Sequence, residues 1–161
     1  MTDHKGHAAP LWRITLAIDA SEASAKAVSF VLNKFQPSRL TGKDGQVPIH
    51  VTVVHVMARR PLAPIEFRFT APWIKSEKKV KDVARRLVKH SAEQFIKAGF
   101  TAEHICKIGD PAEEIMKVAA KQEADLIVMG AKGLGTLDRV LLGSVSMQVL
   151  QYANCPVLVV R

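Results

Sequence analysis

The stretch Ala124–Ser146, ADLIVMGAKGLGTLDRVLLGSVS, decides how the chain is read. Its opening segment, Ala124 to Met129, is a strand apolar on both faces, the pattern of a parallel strand covered from each side. Glycines then interrupt it, and after Gly143-Ser144 a helical pattern runs to about Tyr152. Pro156 to Arg161 returns as a last short apolar strand. Strand, glycine loop, helix and strand in that order form a unit of a wound α/β sheet.

Working outward, the same alternation fills the chain. Trp12 to Ile18 is a β-branched strand ending at Asp19, and Ser21 to Phe35 sets Ala27, Val28, Val31, Leu32 and Phe35 at helical spacing. Pro37, Gly42, Gly45 and Pro48 punctuate a polar connection to a second strand, Ile49 to Val56. Residues 58–73 carry three prolines and no sustained period, and a connection of that length is expected to be a lid or rim. Val80, Val83, Ala84, Leu87, Val88, Ser91 and Phe95 then trace one face of a long amphipathic helix, which Gly99 should stop.

A third strand near Ala102 to Ile108 leads to Gly109-Asp-Pro-Ala-Glu113. Asp110 is the expected N-cap, Pro111 the first helical residue and Glu113 the reciprocating member of a capping box. The helix beyond should bury Ile115, Met116, Val118 and Ala119. Five strands separated by four helices predict an open parallel sheet with helices on both faces, because right-handed crossovers lay them on either side. In such sheets ligands sit at the carboxyl ends of the strands where the order reverses. For the order 3-2-1-4-5 that crevice opens between strands 1 and 4, where Asp19 and the Gly130 loop leave the sheet.

Size and composition agree with one soluble domain. The chain has 161 residues, 48% apolar and 24% charged, ordinary for a globular protein. Residues 11–161 are expected to form that domain, with 1–10 a flexible N-terminus. No apolar run approaches the roughly 20 residues of a membrane-spanning helix, and the N-terminal segment lacks the apolar core of an export signal. A cytoplasmic protein without membrane partners is expected. The two cysteines, Cys106 and Cys155, lack metal-ligand spacing and read as small packed side chains. His4 and His7 alone make a weak metal site, and His55 reads as a packed strand residue. The net charge of +8 raises nucleic acid, but much of it shares a helical face, Lys75 to Lys97, with Glu77, Asp82 and Glu93. A solvated helix face accounts for it, and no nucleic-acid motif accompanies it.

The glycine loop matches neither G-x-x-x-x-G-K-[ST] nor a G-x-G-x-x-G after the first strand. It offers Gly130, two residues, Gly133, nine residues, then Gly143-Ser144. Gly130 and Gly133 allow close approach of backbone amides to a ligand. Ser144 is the expected N-cap, and the amides of Ser144, Val145 and Ser146 would face the crevice, where a helix N-terminus binds anions. Ser144 and Ser146 hydroxyls could add contacts, and Lys132 and Arg139 could add charge or face solvent. Turns and a helix start would explain the same glycines, and Asp19 could serve only as a cap for the first helix.

The pattern G-x-x-G-x9-G-[ST], the Ile18-Asp-Ala-Ser21 exit, His55-Val56 and the terminal Cys155-Pro-Val-Leu-Val-Val160 together resemble the universal stress protein family, from about Trp12 to Arg161. The resemblance implies a Rossmann-like domain of order 3-2-1-4-5, a homodimer and, in the branch with the complete glycine pattern, bound ATP with or without Mg2+. It implies Asp19 beside the nucleoside, the main chain of Val56 against adenine, and Met129 and Gly130 along ribose and phosphate. Gly133, Gly143, Ser144, Val145 and Ser146 would enclose the phosphates. Where some ATP-binding relatives have proline two residues before the aspartate, this chain has Ala17.

No paired carboxylates or nucleophile–base spacing accompany the loop, so a regulatory ATP-binding module with at most slow hydrolysis is expected. The alternatives are an ATPase or nucleotidyl-transfer enzyme on the same fold, and a nucleotide-free interaction protein. The last strand, short and apolar at a sheet edge, is where a second copy would pair.

Overall fold

A computed structural model of the chain describes residues 11–37, 41–42, 45–46, 48–59, 71–132 and 142–161. The elements in chain order are β1 (Trp12–Ala17), α1 (Glu22–Lys34), β2 (Thr41–Gly42), β3 (Gly45–Gln46), β4 (Ile49–Ala58), α2 (Ala71–Lys97), β5 (Thr101–Gly109), α3 (Pro111–Lys121), β6 (Leu126–Gly130), α4 (Ser144–Tyr152) and β7 (Val157–Val160). Five strands form a parallel sheet of order β5-β4-β1-β6-β7. Counting only those five, the order is 3-2-1-4-5, the Rossmann-like arrangement that the family resemblance implies, in the parallel sheet that the alternation predicts.

The central strands β1, β4 and β6 are buried on both sides because their alternate residues feed two cores. Ile14, Leu16, Val51, Val53 and Val128 meet Ala27 and Val31 of α1 and Val88 and Phe95 of α2 on one face. Ala17, Val54, Ile127 and Met129 meet Ile115 and Val118 of α3 and Val149 of α4 on the other. A polar group is stranded in this packing: Thr15, 0% exposed at the middle of β1, has no partner for its hydroxyl among the described residues.

The periodicity of α2 sorts its residues by angle. At about 100° per residue, Ser91, Ala84, Phe95 and Val88 fall within roughly 60° of one another, and all four are buried. Val83 belongs to the expected stripe but lies roughly 110° from that centre, and it is exposed. The helix ends as expected at Gly99, whose φ of +89° suits a residue without Cβ. Phe100 then folds back, its N–H on the Phe95 carbonyl and its ring edge-on to that of Phe95 at 5.3 Å. On the outer face Lys81 pairs with Glu77 and Arg85 with Asp82, the solvated charge pattern expected of this segment.

Four local expectations are revised. The connection after β1 and α1 contains a two-stranded hairpin, Thr41–Gly42 on Gly45–Gln46. The proline-rich connection stops earlier than residue 73, because α2 begins at Ala71; Pro72 is accommodated where a helix's first N–H groups have no acceptor. Asp110 caps α3 by accepting the Glu113 N–H at 3.0 Å, but Glu113 turns its carboxylate to Lys117 at 2.7 Å. Charge attraction one turn along the helix replaces the reciprocal half of the capping box. Met116 packs only partly buried beside the residues α3 buries fully.

Candidate functional site

At the carboxyl ends of β1, β4 and β6 the sheet opens into a cavity of about 330 Å³. It lies where the chain crosses from one half of the sheet to the other, since β1 pairs with β4 on one side and β6 on the other.

The β1 exit is held by a chain of short bonds. Asp19 Oδ1 accepts the Ser21 N–H at 2.9 Å, and the Asp19 N–H donates to Ser24 Oγ at 2.9 Å. Ser21 Oγ accepts the Ser24 N–H and is the N-cap of α1. Asp19 therefore caps nothing itself; it folds the turn that delivers Ser21 to the cap position. Among the described residues its second carboxylate oxygen has no partner, and Asp19 lines the cavity.

From β4, the Ile18 N–H donates to the Val54 carbonyl at 2.8 Å. The Ile18 carbonyl accepts from His55 Nδ1 at 2.8 Å. The β1–β4 ladder stops there. Val56, two residues past Val54, carries its backbone groups on the same side by strand alternation, and β1 has ended on that side. His55 is thus the packed strand residue expected, with a positioning contact.

The β6 side is closed by backbone. The Ala131 carbonyl accepts the Gly143 N–H at 2.8 Å and Ser146 Oγ at 2.9 Å. The two ends of the glycine loop are thereby clamped together beside the sheet. Gly143, rather than Ser144, is the N-cap of α4: its extended backbone offers its carbonyl to the Met147 N–H, and it has no side chain to donate a cap. The shift by one residue leaves the amides of Ser144, Val145 and Ser146 as the ones with no acceptor inside the helix. Ser146 is 1% exposed, and its hydroxyl proton is shared between the Ala131 and Gly143 carbonyls. It supports the wall through its position and its amide.

Gly130 is required by packing. A Cβ there would meet the Ala23 carbonyl carbon at 2.7 Å and the Ser24 nitrogen at 2.8 Å, so β6 ends directly against the first turn of α1. Lys132 follows, with its carbonyl bound by Ser21 Oγ, and its Nζ is buried without a hydrogen-bond partner among the described residues. Among the described residues no cluster of three or more His, Cys, Asp or Glu could hold a metal ion, and no helix is long and apolar enough to cross a membrane.

A model of the universal stress protein family matches residues 12–161. The chain belongs to the universal stress protein family. Universal stress protein YxiE of Bacillus subtilis is 32% identical over 153 residues, 92% of this chain and 98% of its own length. Among solved structures, MJ0577 of Methanocaldococcus jannaschii superposes with a TM-score of 0.75 at 28% identity, covering 92% of this chain and 94% of its own. A universal stress protein from Arabidopsis thaliana, solved with AMP bound, shares the fold with a TM-score of 0.64 at 22% identity, covering 92% of this chain and 90% of its own.

Of the residues the family resemblance implies, Asp19, Val56, Met129, Gly130, Gly143, Ser144, Val145 and Ser146 all line the one cavity. Gly133 and Arg139 lie outside the described residues, as do residues 1–10 and 60–70. Sequence reasoning missed Ser24, Pro111 and Ile115, which also line it. Ser24 had a signal, since Ser21-x-x-Ser24 at a helix start invites hydroxyl–amide pairing. Pro111 and Ile115 had none, because only the tertiary fold carries α3 over the strand ends.

Proposed function

We propose that this universal stress protein is a cytoplasmic, regulatory ATP-binding module with at most slow hydrolysis. The observation that carries the reading is the cavity at the β1/β6 crossover, where residues from three strand ends and the free amides of one helix start share a wall. In this reading Val56 addresses adenine through its backbone and Asp19 the ribose side. The amides of Ser144, Val145 and Ser146 take phosphate oxygens, favoured by the positive end of the α4 dipole, with Gly133 in the same cradle. That a relative of this fold holds AMP supports a nucleotide here. Mg2+, where it accompanies ATP, would rely on phosphate oxygens, with water filling its remaining positions.

Titration of the protein with ATP by calorimetry tests the reading. Saturable binding is expected, weakened tenfold or more by Asp19→Ala and by Gly133→Val. No saturation at millimolar ATP overturns it. Turnover at rates typical of enzymes, lost in Asp19→Ala with binding kept, would instead favour the ATPase.

We also propose that two copies pair through β7. This strand is the sheet edge, half-buried along its length, and Met147, Leu150 and Tyr152 of the neighbouring α4 are exposed. The Pro156 and Val160 carbonyls face β6, so by alternation Val157 and Val159 direct their backbone groups to the open side. Val159→Pro removes an outward N–H and leaves the β6 ladder whole. Light scattering should give a dimeric mass for the parent and a monomeric one for the variant; a monomeric parent at micromolar concentration overturns the pairing.

A further inference from the structure

We propose that Lys132 supplies the counter-charge for the phosphate chain and makes the cavity select phosphorylated ligands over bare nucleosides; this rests on the nucleotide reading above. The motif glycines and helix amides are blind to how much charge a ligand carries beyond what partial dipoles can sense. A full positive charge in the same wall is not.

The observation is the ammonium group itself. Lys132 lines the cavity, and its Nζ is withdrawn from solvent with no hydrogen-bond partner. An ammonium so placed forfeits hydration without compensation, a state that folded proteins avoid. Lysine has a flexible four-carbon stem and ordinarily carries its charge out to water. Here the stem's root is fixed, because the Lys132 carbonyl is bound by Ser21 Oγ at 3.1 Å. Among the described residues Asp19 is the one carboxylate in the cavity wall and no ion pair joins it to Lys132; its Oδ1 is occupied by the Ser21 N–H. Among the described residues nothing supplies its partner, and an anion entering the cavity would.

The surroundings narrow its class. Ser144, Val145 and Ser146, whose amides have no acceptor inside the helix, line the same cavity as Lys132, so an anion there meets N–H donors and a helix dipole within reach of the flexible lysine stem. A phosphate chain has oxygens for all three at once. A neutral nucleoside has none to spare for Lys132, whose charge would stay unmatched in its presence.

The test is calorimetric titration of the parent protein, Lys132→Gln and Lys132→Met with adenosine, AMP, ATP and inorganic triphosphate. Removing the charge should weaken ATP at least tenfold and AMP less, leave adenosine within twofold, and flatten the salt dependence of ATP binding. Equal loss for adenosine and ATP, or no loss for ATP, overturns the proposal. If the parent binds triphosphate in a Lys132-dependent way but no nucleotide, the nucleotide reading falls and the anion site stands. If it binds neither, both fall. Ligand-free Lys132→Met should also melt above the parent, since it removes an uncompensated charge; a lower melting temperature means that the ammonium is satisfied without a ligand and overturns the proposal.

Discussion

Ser21 Oγ donates to the carbonyl oxygen of Lys132 at 3.1 Å. The same hydroxyl accepts the Ser24 N–H at 3.1 Å, so a single oxygen caps α1 and fastens it to the loop leaving β6. Two segments 111 positions apart in sequence meet at this atom, on the rim of the cavity.

Ser21→Ala should therefore cost more than an ordinary cap. Loss of an N-cap hydroxyl destabilises by about 1 kcal/mol, and the unpaired Lys132 carbonyl adds to it, for a total of roughly 1–2 kcal/mol. Urea unfolding should show a lower midpoint with an unchanged slope. Ser21→Thr keeps the oxygen and should recover most of the loss.

The glycines bordering the site should respond unequally to alanine. In Gly130→Ala the new methyl meets the backbone of Ala23 and Ser24 at 2.7 and 2.8 Å, and helix and strand must separate. Overpacking of this kind costs about 1–3 kcal/mol. In Gly109→Ala the nearest atom, also at 2.7 Å, is Glu114 Cγ, which can turn aside, so a cost below about 1 kcal/mol is expected. Differential scanning calorimetry should rank Gly130→Ala well below Gly109→Ala; equal melting temperatures would mean that α1 yields freely.

Thr15→Val should stabilise the protein. The hydroxyl is fully buried and unpartnered, and valine has nearly the same shape without the group that lost its water. Removing such an orphan is worth about 1 kcal/mol. Thr15→Ser keeps the orphan, loses a methyl and should destabilise, so the two variants bracket the parent in thermal unfolding.

Alkaline pH should weaken the fold through its cysteines. Burial pushes the thiols of Cys106 and Cys155 above their ordinary value of 9.0, opposed by Arg85 at the first and by a backbone hydrogen bond from Ile127 at the second. Each thiol therefore keeps its proton to higher pH in the fold than in the unfolded chain. Their contribution is whole below pH 9 and declines as pH rises from the unfolded value through the folded one. Stability measured from about pH 8.5 to about 10.5 should fall less steeply in Cys106→Ala/Cys155→Ala than in the parent. Parallel curves would remove the thiols from the account.

What could be read from the sequence was what repeats or is chemically pointed. Val88 and Phe95 announce α2 by period, and Asp110-Pro111 announces the start of α3 by capping chemistry. The both-sided apolarity of Leu126 to Met129 announces a central strand. A parallel sheet follows from that alternation; its order comes from the family resemblance, and the Asp19–Gly130 crevice follows once that order is taken. The rest depended on distances that no local pattern encodes. Thr41–Gly42 and Gly45–Gln46 are too short to show a period. The N-cap of α4 fell on Gly143 because the Ala131 carbonyl claims its N–H, a contact between residues across the glycine loop. Lys132 was ambiguous between ligand and solvent until its Nζ proved to be buried.

His55 holds the Ile18 carbonyl through Nδ1, and a carbonyl oxygen can only accept. The ring nitrogen facing it therefore donates, which fixes the tautomer of the ring. The turn at Asp19 is thus pinned by a side chain that can only donate there, so the rim of the cavity is shaped by β4 as much as by the strand that ends in it.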